Sequence, residues 1–171
     1  LERGRVAPKW RTSMTVAALV TGVARYHYTY MRDAWATTFA MGNGQSPIVL
    51  RYVDWLITVP LQVTEFYLIL AAVGVATAAL FWRLFGASLL MLITGYLGEA
   101  ESGTGGLVEG MEMVMFFIGC AAWFYIMYEV WGGEAQKSAA TASESTQFAF
   151  KAMAGILTVG WAIYPIGYFM G

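Results

Sequence analysis

Charge is what this sequence has least of. Asp, Glu, Lys and Arg make up 12% of its 171 residues, about half of the roughly 25% found in an ordinary soluble domain. Too few charges remain to cover a water-facing surface. With 58% apolar residues and a mean hydropathy of +0.57, intrinsic disorder is excluded as well. Ten basic residues against eleven acidic ones give a net charge of −1, which is no footprint for nucleic acid. A single cysteine, Cys120, excludes an intramolecular disulfide and a cysteine-built metal cluster. A single histidine, His27, excludes a haem held between two histidines. No metal site is expected, and the expected solvent is a lipid bilayer.

A membrane helix needs about 20 mostly apolar residues. Five stretches qualify, at about 12–32, 49–71, 80–99, 108–131 and 147–170. The chain therefore reads as an all-α membrane protein, a helical bundle with five transmembrane helices in one domain over 1–171. Turn-forming residues separate the spans at Gly42 to Pro47, between Glu99 and Gly110, and from Gly132 to Ser145. The least punctuated break, near Gly74 to Ala79, rests on Gly74 and on Trp82 and Arg83 as interface anchors. Arg3, Arg5, Lys9, Arg11, Arg83, Lys137 and Lys151 gather at one end of this arrangement. The excess of basic residues places that end, with the N-terminus, in the cytoplasm. Glu99, Glu101, Glu109 and Glu112 at the other end, and Glu129 and Glu134 after the fourth span, read as solvated positions.

The second span carries the chemistry. Arg51, Asp54, Thr58, Gln62 and Glu65 step by 3, 4, 4 and 3 residues, which at 3.6 residues per turn draws one polar stripe down one helix face. Ionisable residues inside a span are costly and usually face an interior. Asp54 and Glu65 lie eleven residues apart, about 16 Å along the axis. That is too far to share one proton as a close carboxylate dyad does, which argues against an intramembrane protease. They can instead serve as successive stations. Arg51, one turn from Asp54, favours the ionised form of Asp54, whereas Glu65 sits among Val63, Phe66, Tyr67 and Leu68, where desolvation favours the neutral acid. The bland alternative is a polar stripe packed and inert against another helix. Pro60 removes one backbone donor and is expected to kink the helix.

The segment Arg51 to Leu70, RYVDWLITVPLQVTEFYLIL, resembles the third helix of proteorhodopsins, retinal-binding light-driven proton pumps among the microbial rhodopsins. Trp161 to Tyr168, WAIYPIGY, resembles the sixth helix of that family. Gly95 to Ala100, GYLGEA, is similar to the end of the fourth, and Arg25 to Arg32, RYHYTYMR, to that of the second. The resemblance covers nearly the whole chain and implies helices two to six of a seven-helix microbial rhodopsin. It makes Asp54 the counterion and proton acceptor and Glu65 the cytoplasmic-side proton donor. Thr58 becomes the middle of the Asp-Thr-Glu triplet, Arg51 the extracellular-side arginine and His27 the partner of the counterion. Trp55, Met91, Trp123, Trp161, Tyr164 and Pro165 fall on chromophore-lining positions. Gln62 falls where Gln accompanies blue absorption. Phe116 stands where carotenoid-binding relatives have glycine, which argues against a carotenoid antenna.

The implied cofactor is all-trans retinal, held covalently by a lysine of the seventh helix. Lys9, Lys137 and Lys151 all lie in connections or near helix ends, where lysine snorkels to the headgroups. The first and seventh helices of the family have no counterpart in these residues, so the sequence is expected to be an internal portion of a longer protein. The implied function is a light-driven outward proton pump, an ion transporter rather than an enzyme, in a bacterial inner membrane. A homo-oligomer, pentamer or hexamer, is implied too, with His27 near the contact. Two other readings stay open: a sensory rhodopsin on the same fold, and a retinal-free proton transporter or channel subunit.

Overall fold

The computed structural model describes residues 2–42, 47–104 and 110–170, with backbone only at 2, 100–104 and 168–170. Two short 3-10 turns, Glu2–Gly4 and Pro8–Trp10, lead into α1 (Arg11–Ala40). There follow α2 (Ile48–Ala72), α3 (Ala78–Thr104), α4 (Glu112–Trp131), a short α5 (Glu134–Ala139) and α6 (Glu144–Met170). The architecture is the all-helical membrane bundle that the composition implies. Four helical stretches among the described residues are long and apolar enough to cross a bilayer, starting at Ile48, Ala78, Glu112 and Glu144. Helix α1 has 30 residues, about 45 Å of helix. Arg25, Arg32 and Asp33 leave it too polar to be marked as a span by composition alone.

Helix α1 continues well past residue 32, because nothing between Asp33 and Ala40 breaks a helix. It stops where Gly42 adopts a φ of 76°, a conformation that suits glycine. Residues 43–46 of the turn lie outside the described residues. The sparse break after α2 is real, and Gly74 turns it with a φ of 79°. Helix α2 runs unbroken through Pro60.

Consecutive long helices α1 to α4 pack side by side, and α6 touches α2 and α4 more lightly. The α3–α4 approach is closest where side chains are smallest. A Cβ on Gly119 would lie 3.1 Å from Thr94 Oγ1 and 3.4 Å from the Met91 carbonyl, and one on Gly98 would lie 3.1 Å from the Glu112 carbonyl. Membrane helices lack a hydrophobic drive toward each other, so close backbone approach through small residues is a main source of their attraction. The buried cluster gathers at one end of the bundle. It joins Val63, Phe66 and Leu70 of α2 to Leu80 and Leu84 of α3, Ile126 and Val130 of α4, and Phe150 and Ala154 of α6. Trp82, Phe117, Phe124, Tyr128 and Ile156 point outward, as a lipid-facing surface requires.

Three acidic positions read as solvated turn out to be partnered. Glu129 is 4% exposed. It accepts from Tyr125 Oη at 3.0 Å and from the Glu134 backbone N–H at 3.0 Å, and it pairs with Arg83 at 3.2 Å. That carboxylate caps α5, a helix absent from the sequence reading, and Gly133 is needed beside it because a Cβ there would collide with Glu129. Glu134 pairs with Arg83 and accepts from Thr77, whose hydroxyl in turn accepts from the Leu80 N–H at 3.1 Å to start α3. Glu99 lies within α3 and pairs with Arg51. Unpaired charges are too costly at a partly buried helix end, so each has found a cation or a helix N-terminus. Glu109, and the side chain of Glu101, lie outside the described residues.

Gly119→Leu should force α3 and α4 apart and lower the thermal unfolding midpoint, by roughly 1–3 kcal/mol of stability. Gly86→Leu, on the same pair but with no atom within 4 Å of a new Cβ, should leave it nearly unchanged. Equal midpoints in detergent, followed by circular dichroism, would remove Gly119 from the helix contact.

Candidate functional site

The polar stripe of α2 is covered by α1, and each of its carboxylates meets one polar side chain there. Asp54 is 1% exposed. Its Oδ1 lies 2.9 Å from His27 Nδ1, and the Thr58 hydroxyl donates to the Asp54 carbonyl at 3.0 Å and reaches Oδ2 at 3.4 Å. Glu65 is 8% exposed and accepts through Oε2 from the hydroxyl of Ser13. Its Oε1 has no hydrogen-bond partner among the described residues. His27 and Ser13 are fourteen residues apart, about four turns and nearly one face. Antiparallel packing of α1 on α2 then brings both into register with the two carboxylates.

Ser13 has no place in the sequence reading. A signal was available: a serine about four turns before His27, on nearly the same face of α1.

Arg51 finds its ion-pair partner on α3 rather than in Asp54. Its guanidinium pairs with Glu99 of α3 and lies over the Trp55 ring, 5.2 Å from the centroid. Glu99 also accepts from Tyr52 Oη at 3.0 Å. Gly95 makes room for this, since a Cβ there would come within 3.0 Å of the Tyr52 hydroxyl. Among the described residues, Asp54 consequently has neither Lys nor Arg as an ion-pair partner, although it is nearly fully buried. A carboxylate in that state suits a cationic group brought from outside its own helix.

The aromatic positions are partly assembled. Trp55 and Tyr164 meet edge to face with centroids 4.8 Å apart, joining α2 to α6 beside Asp54, and Tyr164 lies within electrostatic reach of Arg51 and Asp54. Trp123 of α4 and Trp161 of α6 both pack against the buried cluster. The Trp123 indole N–H is buried with no hydrogen-bond partner among the described residues. Met91 and Pro165 are half-buried and Phe116 is buried. Gln62 is exposed, seven residues from Trp55 and so on the same face of α2. Lys9, Lys137 and Lys151 are all exposed and stand away from Asp54. Trp55 and Tyr164 would suit an apolar group with a cationic end near Asp54, and the three exposed lysines form no ion pair with Asp54 among the described residues.

Comparison with known proteins bears on this geometry. The model of the bacteriorhodopsin-like protein family matches residues 1–171. A green-light absorbing proteorhodopsin from Gamma-proteobacterium EBAC31A08 is 50% identical over 171 residues, covering all of this chain and 64% of that protein. A blue-light absorbing proteorhodopsin from Gamma-proteobacterium Hot 75m4 is 48% identical over 173 residues, covering all of this chain and 63% of that protein. The chain therefore spans a little under two thirds of the length of the curated relatives it matches. The crystal structure of the blue light-absorbing proteorhodopsin from Med12 aligns with a TM-score of 0.73 at 49% identity, over 99% of this chain and 70% of that one. With a family match along its whole length, this chain belongs to the bacteriorhodopsin-like protein family.

Proposed function

We propose that the protein is a light-driven outward proton pump of a bacterial inner membrane, with retinal as its chromophore. The observation that carries this reading is the pair of buried carboxylates on one face of α2, about 16 Å apart along the axis. Each has its own partner from α1, and among the described residues Asp54 has neither Arg nor Lys as an ion-pair partner. Retinal, bound covalently through a lysine, would supply light absorption and a cationic nitrogen whose hold on its proton changes on illumination. Trp55, Trp123, Trp161, Tyr164, Met91 and Pro165 would enclose the polyene, and Asp54 would face the cation.

The chain's own residues then divide the work. Asp54, oriented by His27 and Thr58, takes up a proton. Arg51 and Glu99 form the charged pair on the outward side that favours its later release. Glu65, kept neutral in an apolar surrounding, gives up a proton from the opposite side. The excess of basic residues at the Glu65 end puts that side and the N-terminus in the cytoplasm. His27, still partly exposed at the edge of the bundle, is positioned near a contact with further copies in a homo-oligomer.

Relatives of both colours match the chain about equally, so colour rests on Gln62. Excitation moves positive charge along the polyene away from its cationic end. An amide dipole at that end holds the ground-state distribution more firmly than a leucine, which widens the gap and gives blue absorption.

In the full-length protein loaded with retinal, Asp54→Asn should abolish the light-induced pH change of a cell suspension. Glu65→Gln should leave the early steps intact and slow recovery after a flash by about a hundredfold, the order of a lost acid–base group. Recovery at the normal rate in Glu65→Gln would remove the donor role. Gln62→Leu should shift the absorption maximum to longer wavelength, and an unchanged spectrum would take Gln62 out of the tuning argument.

A further inference from the structure

The N-terminal turns carry the densest positive charge in the chain, and no acidic group offsets it. Arg3, Arg5, Lys9 and Arg11 fall within nine residues, and beyond Glu2 the next carboxylate in the sequence is Asp33. All four cations are exposed. None of them takes part in an ion pair among the described residues. Glu144, at the start of α6, is exposed too and pairs with none of them. The start of α1 adds to the field: Arg11 is its first residue, its first turn has no acidic residue, and no side chain caps it. A helix N-terminus carries about half a positive charge and favours an anion. Here it is ringed by cations instead.

Packing fixes where this charge sits. Both turns contact α1, and the second also contacts α2. Val6 and Trp10 are half-buried and line one groove with Ile69 of α2 and Ser145 of α6. Those two residues lie close to the ends of their spans, which run over Ile48–Ala72 and Glu144–Gly167. The turns are therefore level with the boundary at which α2 and α6 leave the hydrocarbon. The polar layer of a bilayer is only about 5–8 Å deep on each side, so cations on these turns lie among lipid headgroups. Lys9 is held there as well, with its ammonium 5.2 Å from the centre of the Trp10 ring.

We propose that the N-terminal turns and the first turn of α1 form a docking surface for an anionic phospholipid, with Arg3, Arg5, Lys9 and Arg11 around its headgroup phosphate. Phosphatidylglycerol has the matching chemistry, because its phosphate is its only charged group. Phosphatidylcholine carries an ammonium beside the phosphate and is neutral overall, so four cations gain little from it. The depth of the turns favours a lipid over a soluble acidic partner, which would meet cations standing clear of the bilayer. This surface is separate from the proton chemistry of α2 and asks only that this end of the bundle meet a membrane surface.

The test uses the full-length, retinal-loaded protein, stripped of lipid in detergent and offered equal amounts of phosphatidylglycerol and phosphatidylcholine. Native mass spectrometry then counts the lipids that stay bound. The unaltered protein should retain phosphatidylglycerol in preference, and added salt should weaken that preference by screening the charge. Arg3→Gln, Arg5→Gln, Lys9→Gln and Arg11→Gln combined should lower the ratio of bound phosphatidylglycerol to phosphatidylcholine about tenfold. Arg3→Lys, Arg5→Lys and Arg11→Lys combined keep the charge and should hold the ratio within about twofold of normal. Lys137→Gln with Lys151→Gln removes basic charge from elsewhere at the same end and should leave the ratio unchanged. The absorption maximum should not move in any variant, which checks that the bundle is intact. A ratio that stays near normal in the four Gln substitutions overturns the proposal. An equal loss in Lys137→Gln with Lys151→Gln overturns it too, because the attraction then belongs to the whole charged end. Neither result touches the roles of Asp54 and Glu65, which rest on flash-induced recovery and proton movement.

Discussion

Two carboxylates placed inside a membrane-spanning helix govern the rest of this structure. A charge at the centre of a bilayer costs about 2.5–3.5 kcal/mol even on insertion scales, so neither Asp54 nor Glu65 can face lipid. Helix α1 covers both. It brings a ring nitrogen to Asp54 and a hydroxyl to Glu65, and the two partners differ in kind. His27 can carry charge opposite a carboxylate. Ser13 can only donate a hydrogen bond. The same helix face thereby creates two sites of unlike chemistry about 16 Å apart.

Packing accentuates the difference. The buried cluster lies around the Glu65 end, where α2, α3, α4 and α6 converge on Val63, Phe66 and Phe150. Asp54 instead has an aromatic wall of Trp55 and Tyr164 and a charged neighbourhood in which Arg51 is already engaged by Glu99. A proton on Glu65 is enclosed by hydrocarbon and one hydroxyl, and a charge on Asp54 is flanked by polar groups. The gradient in environment along a single helix face is the physical content of the proposed pump.

Charge pairing also shapes the ends of the bundle. Arg83 binds Glu129 and Glu134 together, and those two carboxylates hold the start of α5 and, through Thr77, the start of α3. The connection between α4 and α6 is therefore a built corner rather than a free loop. It fixes where α6 begins.

Much of this was legible in the residues. The spans and the stripe of Arg51, Asp54, Thr58, Gln62 and Glu65 follow from hydropathy and a 3.6-residue period, and the family resemblance from short residue motifs, all of them properties of one segment at a time. The pairing of acidic groups was not legible. Glu99, Glu129 and Glu134 look like loop charges until a helix from elsewhere in the chain supplies Arg51, Arg83 or a capped N-terminus. Arg51, one turn from Asp54 in sequence, binds Glu99, 48 residues away, because the packing of α3 on α2 brings that carboxylate within its reach. Ser13 shares nearly one helix face with His27, but it acquires a role only when α1 lies antiparallel on α2. The sequence by itself determined which helix carries the ionisable groups and how they are spaced, because that spacing is set by covalent geometry. Only the tertiary structure decided what each group faces, because a buried charge takes its partner from whichever helix the packing brings within hydrogen-bond reach.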